Sequence, residues 1–156
     1  RLLPSVVSHG WTGIADRSRF HALFDWPGTQ DPTAWLSVPT AIDAVGALHP
    51  AGWSGVMAAN RDLALTAREL LCETWGTRPP APPEMIGALA TVPLPGRLAG
   101  LSVAELTAHV RSHNIEAKFV VEGATFVRLS AQLYNCIEDY ERLVDAMSVA
   151  NLPRPR

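Results

Sequence analysis

The sequence predicts an α+β fold in which helices pack on a mostly antiparallel sheet, and three observations carry that expectation. Residues 50–75 place apolar side chains at i, i+3, i+4 and i+7, the period of a helix with one buried face. Residues 115–121 and 124–130 lie on either side of Glu122-Gly123 and alternate in polarity, the pattern of two strands folded into a hairpin. Ser102 and Glu105, and again Asn135 and Glu138, set a capping side chain three residues ahead of a glutamate, which marks a helix start.

Taken in order, residues 5–10 are a short apolar run closed by glycine and read as a buried strand. Residues 11–30 have no regular period but contain Phe20, Phe24 and Trp26, so an ordered loop held by aromatic anchors is expected. Asp31-Pro32 reads as an N-cap with proline at the first helical position, and Trp35, Val38, Ile42 and Val45 supply one apolar face. Pro39 interrupts it. An interior proline costs about 3 kcal/mol or more, so a kink or a restart is expected there. The helix over 50–75 buries a face that runs from Trp53, Val56, Met57 and Asn60 to Leu70 and Leu71, and Gly76 ends it. Pro79, Pro80, Pro82 and Pro83 read as an extended connection.

Residues 88–94 form a strand by pattern, and Pro93 and Pro95 favour an edge position or an early stop. The Ser102 box, with a staple between Leu101 and Leu106, opens a helix that reaches about His113, after which Asn114 takes a left-handed exit. From Pro50 the order is therefore helix, strand, helix, strand, strand, helix. Alternation in the last strand puts Thr125, Val127 and Leu129 on one face and Phe126, Arg128 and Ser130 on the other. Ile137, Tyr140, Leu143, Val144 and Met147 follow as the apolar face of the last helix.

Composition sets bounds. The 156 residues suffice for one ordinary domain or pieces of two. With 13 basic and 15 acidic residues the formal charge is −2, and no basic run is interleaved with aromatics, so nucleic acid is not an expected partner. No apolar stretch approaches the ~20 residues that span a bilayer, so neither is a membrane. Cys72 and Cys136 are too few for a disulfide framework or a metal cluster, and a reducing cytoplasm is the expected location. The chain opens on Arg1 with no initiator Met and no signal-peptide pattern, and is expected to be a truncated piece of a longer one.

Few residues carry chemistry by themselves. His109 and His113 fall at i, i+4 but lack the glutamate of a zinc protease motif, so a solvated helix face is preferred and no metal is expected. Cys72 and Cys136 read as packing residues. No Gly-x-Ser-x-Gly elbow, P-loop or dinucleotide pattern occurs. Lys118, the only lysine, alternates away from Ile115, Ala117, Phe119 and Val121 and reads as solvated. Arg128 is a lone guanidinium at the end of a packed strand, a fork that suits a carboxylate; a surface or ion-paired arginine is the alternative.

Three stretches together carry a resemblance. They are Phe24-Asp25-Trp26-Pro27-Gly28-Thr29-Gln30-Asp31-Pro32, then Ala90-Thr91-Val92-Pro93-Leu94-Pro95, and then Val127-Arg128-Leu129-Ser130-Ala131-Gln132-Leu133-Tyr134-Asn135 with Glu138-Asp139. In combination they resemble the C-terminal part of class V aminotransferase-fold enzymes, most of all the isopenicillin N epimerase-like group. The likeness implies a fold-type I homodimer using pyridoxal 5′-phosphate, with residues 1–49 the tail of the large cofactor domain and 50–156 the small C-terminal domain. It implies that Gly28 and Thr29 contact the cofactor phosphate across the subunit boundary, and that Arg128 binds the α-carboxylate of an amino-acid substrate. Ser130, Tyr134 and Asn135 are expected to shape the corner.

The resemblance also implies what lies elsewhere. The cofactor lysine, the aspartate on the pyridine nitrogen and the stacking aromatic belong to an upstream portion, so this chain contributes no catalytic residue and is expected to be inactive alone. Cysteine desulfurases, a rival within the family, carry a nucleophilic cysteine just before the arginine corner. Residues 115–128 contain none. An epimerase-like or carbon–sulfur lyase-like enzyme is therefore preferred, with epimerisation, amino transfer and elimination all open. Outside the family, a non-catalytic α+β ligand-binding or dimerisation module is the alternative. The gene sequence upstream of Arg1 separates the two: a lysine after an apolar strand favours the enzyme, and a start codon at Arg1 the module.

Overall fold

Contacts along the backbone divide the chain into two units, Arg1–Asp43 and Ala44–Arg156. The structure is a computed structural model that describes residues 2–5, 7, 9–12, 16–26, 28 and 30–148.

In the first unit a 3-10 turn, His9–Thr12, precedes helix α1, Arg19–Phe24. The strand expected over 5–10 does not form among the described residues: Val7 is exposed and the 3-10 turn takes up the glycine end, while Val6 and Ser8 lie outside those residues. The expected loop over 11–30 contains a helix instead. Ser18 caps it by accepting from the His21 N–H at 3.3 Å, and Phe20 stacks on Phe24 one turn away with ring centroids 4.9 Å apart. Helix α2, Thr33–Leu36, follows Asp31, whose carboxylate accepts from the Thr33 N–H at 2.9 Å. The chain then breaks at Ser37 and restarts as α3, Val38–Gly46, with Pro39 in its first turn, where the missing N–H costs nothing. The predicted restart thus occurs, but the apolar face does not become core: Trp35 is 77% exposed and Ile42 50%.

The second unit is built on α4, Gly52–Trp75. Its buried face includes Val56, Ala64, Ala67, Leu71 and Trp75, while Trp53 and Met57, expected on that face, are exposed. Gly76 ends the helix at φ 64°, and the Thr77 N–H returns to the Cys72 carbonyl at 3.0 Å. The proline-rich connection is tied back to α4 by two arginines. Arg61 donates to the carbonyls of Pro83 and Ile86 at 3.0 and 3.1 Å, and buried Arg68 donates to Ala81 at 2.9 Å.

Strand β1, Leu89–Pro93, is followed by α5, Gly96–Ala99, and α6, Val103–Ser112. The Ser102–Glu105 capping box forms as expected, and Asn114 leaves with φ 59°. The hairpin follows as β2, Lys118–Glu122, and β3, Ala124–Ser130, and α7, Ile137–Ala146, closes the unit. The sheet has the order β1-β3-β2 and is antiparallel throughout, so β1 is an edge strand, as its prolines require. Helices α4, α6 and α7 pack on one side of the unit around Leu71, Val92, Leu106, Val127 and Met147.

Two boundaries differ from expectation. Strand β2 starts at Lys118 instead of residue 115, because the ladder ends at the Lys118–Arg128 pair and residues 115–117 carry the chain from α6 to the sheet. Helix α7 starts at Ile137 instead of Asn135, because Asp139 and not Glu138 reaches back to the Cys136 N–H, at 3.3 Å.

Ser102→Ala should cost about 1 kcal/mol in denaturant unfolding, the usual value of an N-cap. Its backbone and hydroxyl hydrogen bonds hold the Glu105 carboxyl below the ordinary range. A depressed carboxyl stabilises above its unfolded range and loses that contribution as pH falls through the folded value. The Ser102→Ala chain should therefore lose less stability on acidification than the parent does.

Candidate functional site

The pleat of β3 decides what the site contains. Thr125, Val127 and Leu129 are buried against the helices, so Arg128 and Ser130 stand on the opposite, open face. That is the alternation the sequence predicts. Arg128 lines a cleft of about 510 Å³ between the end of β3, the start of β2 and the start of α7. The cleft also takes in Lys118, Ser130, Asn135 and Arg142.

The corner after Ser130 is held by a chain of hydrogen bonds. The Ala131 N–H donates to the Ala88 carbonyl at 2.8 Å, which fixes the exit from the sheet. Gln132 is central: its side-chain oxygen accepts from Asn60 Nδ2 of α4 at 2.9 Å and from the Leu133 N–H at 2.8 Å. Asn135 Oδ1 accepts from the Gln132 N–H at 3.1 Å, while its Nδ2 donates to Asp139 at 3.2 Å. Tyr140, buried in α7, donates its hydroxyl to the Ser130 carbonyl at 2.8 Å. The last carbonyl of β3 is thus tied to α7. Asn135 shapes the corner as expected, and Tyr134 is 84% exposed and plays no such part.

Electrostatics follow from these bonds. The Asn135 amide and then the Cys136 N–H hold the Asp139 carboxyl below its usual range. Burial, and then the negative charge of Asp139, push the Tyr140 phenol up. Both thiols move away from reactivity: Cys136 is raised by its hydrogen bond to Glu138, and Cys72 by burial. Neither is an activated nucleophile.

Other residues singled out by pattern fall as follows. Gly28, in the first unit, is exposed with φ 140°, and a side chain built there would meet nothing within 4 Å. Thr29 lies outside the described residues. His109 is not on a solvated face: it is buried, and its Nε2 lies 2.8 Å from the accepting carbonyl of Ala146, tying α6 to the end of α7. Pattern reading missed Gln132 and Tyr140, whose partners are distant in sequence. It also placed Lys118 correctly as exposed while missing its neighbour: Lys118 and Arg128 each lie five residues from Gly123 and are directly opposed in the ladder. Counting outward from the turn glycine is the signal that reveals the pair.

Tyr140→Phe should lower stability by about 0.5–1.5 kcal/mol, the net value of one hydrogen bond, while leaving the fold intact. Denaturant unfolding checks the first, and the amide spectrum around Ser130 should report a local change.

No protein-family model matches the chain. Curated proteins do. The chain is 32% identical over 165 residues to putative L-cysteine desulfhydrase 1 of Oryza sativa subsp. japonica, covering 92% of this chain and 33% of that protein. It is 32% identical over 143 residues to L-cysteine desulfhydrase of Arabidopsis thaliana, covering 79% and 31%. It is 32% identical over 165 residues to isopenicillin N epimerase of Amycolatopsis lactamdurans, covering 94% and 39%. The chain thus spans roughly a third of the length of the curated relatives it matches. Among the described residues no helix is long and apolar enough to cross a membrane. With desulfhydrases and epimerases both among its homologues, and with helices packed on a small antiparallel sheet, the chain belongs to the class V aminotransferase-fold family, whose C-terminal part its motifs resemble.

Proposed function

We propose that the full-length protein is a pyridoxal-phosphate-dependent enzyme acting on an amino acid, by epimerisation or carbon–sulfur elimination, with Arg128 binding the substrate α-carboxylate. One observation carries this reading: Arg128 stands in an open cleft, and among the described residues its side chain makes no ion pair or hydrogen bond. Its strand is locked on the other face by the core and at its end by Tyr140. A planar fork held in that way orients a carboxylate through two parallel bonds. The names of the relatives, desulfhydrase and epimerase, both denote reactions of amino acids and support the substrate class.

Residues 1–49 then form the tail of a large cofactor domain and 50–156 the small domain of a homodimer. The exposed apolar side chains of the first unit, Trp26, Trp35 and Leu36, support its completion by further chain or by a second subunit. The residue types suit an anion: Gly28, at positive φ with open space where a side chain would stand, lets a ligand come close to the backbone, and a threonine hydroxyl such as that of Thr29 is a donor. Gly28 and Thr29 would hold the cofactor phosphate of the partner subunit. When bound, pyridoxal phosphate supplies an electron sink for charge developing at the substrate Cα. Arg128 fixes which Cα bond faces that sink. The neutral thiols of Cys72 and Cys136 favour reactions that need no protein nucleophile from this region.

In the full-length protein, Arg128→Lys should weaken amino-acid binding roughly ten- to a hundredfold with cofactor absorbance unchanged, because an ammonium cannot replace two parallel donors. Unchanged substrate affinity would remove Arg128 from the site. Thr29→Ala should lower cofactor affinity, and mixing with subunits that carry Thr29 but lack the cofactor lysine should restore it in heterodimers. Failure of that rescue would place Thr29 against its own subunit's cofactor or away from any.

A further inference from the structure

Lys118 and Arg128 occupy one rung of the β2–β3 ladder, each exposed and on the same face of the sheet. Residues opposed in this way have Cβ atoms roughly 4.5–5.5 Å apart, and like charges there are destabilising. The usual remedy is an acid between them, yet the two carboxylates that line the same cleft are committed elsewhere. Glu116 is gripped by Arg111 through two bonds of 2.9 Å. Asp139 accepts from Asn135 and from the Cys136 N–H. Arg142 also lines the cleft, and its charge acts on Asp139, so that carboxylate's charge has a cation of its own. Among the described residues the side chains of Lys118 and Arg128 make no ion pair or hydrogen bond. A single α-carboxylate on Arg128 neutralises one of these charges and leaves the other facing it.

Resting on the assignment of Arg128 to the α-carboxylate, we infer that the substrate is an amino acid carrying a second anionic group on its side chain, and that Lys118 receives that group. The division of labour suits the two side chains. Arg128 is a planar fork that fixes one carboxylate in orientation; Lys118 is a compact charge on a flexible stem that follows a distal anion of varying reach. Complementary charge of this kind acts on selectivity between substrates more than on total affinity. Lys118 is thus a specificity-determining residue, and it does no proton transfer in this scheme.

The test uses the full-length protein and titration calorimetry with two probes, L-2-aminoadipate, which has a side-chain carboxylate, and L-norvaline, which has none. The parent should bind 2-aminoadipate more tightly. Lys118→Gln should weaken 2-aminoadipate roughly ten- to a hundredfold and leave norvaline unchanged, and Lys118→Arg should restore the preference. Equal weakening of both probes by Lys118→Gln would show that Lys118 shares the α-carboxylate, and would overturn the inference. So would the absence of any preference in the parent. Arg128→Lys distinguishes the underlying assignment: it should weaken both probes, and if it weakens neither while Lys118→Gln still discriminates, the Arg128 assignment fails independently.

Discussion

The second unit depends on the two-sidedness of β3. This strand is central in the sheet, so both its edges are paired and its register is set from two directions. Val127 and Leu129 fill the core on one side, and because side chains alternate strictly, Arg128 must face out. A slip of one residue would bury the guanidinium and expose two large aliphatic side chains, at a cost no surface contact could offset. The position of the charge is therefore enforced by the core, not by any partner of its own.

The corner turns that position into a rigid one. Asn60 of α4, Gln132 of the corner, Asn135 before α7 and Asp139 in its first turn form a continuous polar path, and Tyr140 adds an anchor from the helix to the strand. Such networks are costly if half satisfied and stiffening if complete, and most donors here have acceptors. Among the described residues, the Asn60 Oδ1 atom and the Arg68 Nε atom, the latter near the proline-rich connection, have no hydrogen-bond partner. These bonds gather at the corner that ends β3, the strand on which Arg128 stands.

The two units differ in how complete they are. The second has its own core, bounded by α4, α6, α7 and the sheet. The first buries Ala22 and Leu23 but leaves several aromatic and aliphatic side chains on helices α2 and α3 in water. An amphipathic helix whose apolar stripe is uncovered has lost the main source of its stability, since propensity alone seldom sustains nine residues. This contrast, with the match to about a third of each relative, supports the proposal that the chain works as part of a larger protein.

Local signals in the sequence determined a good deal: the long helix with its glycine stop, the Ser102 capping box, the left-handed Asn114, the hairpin glycine, the edge character of β1 and the outward face of Arg128 all follow from short-range stereochemistry. Helix α1 escaped because six residues carry less than two turns of period. The start of α7 was misplaced because Glu138 and Asp139 are equal candidates by spacing, and only the direction of the chain at Cys136 selects between them. Tertiary structure alone decided that His109 is buried against the end of α7 and that Arg61 and Arg68 tie down the prolines, whereas the Lys118–Arg128 pair was legible by counting from Gly123. The physical reason is common to both. Capping and periodicity act within a turn or two of the chain, whereas partners 13 to 37 residues apart, as in Arg68 with Ala81 and His109 with Ala146, meet only after the helices and strands have packed.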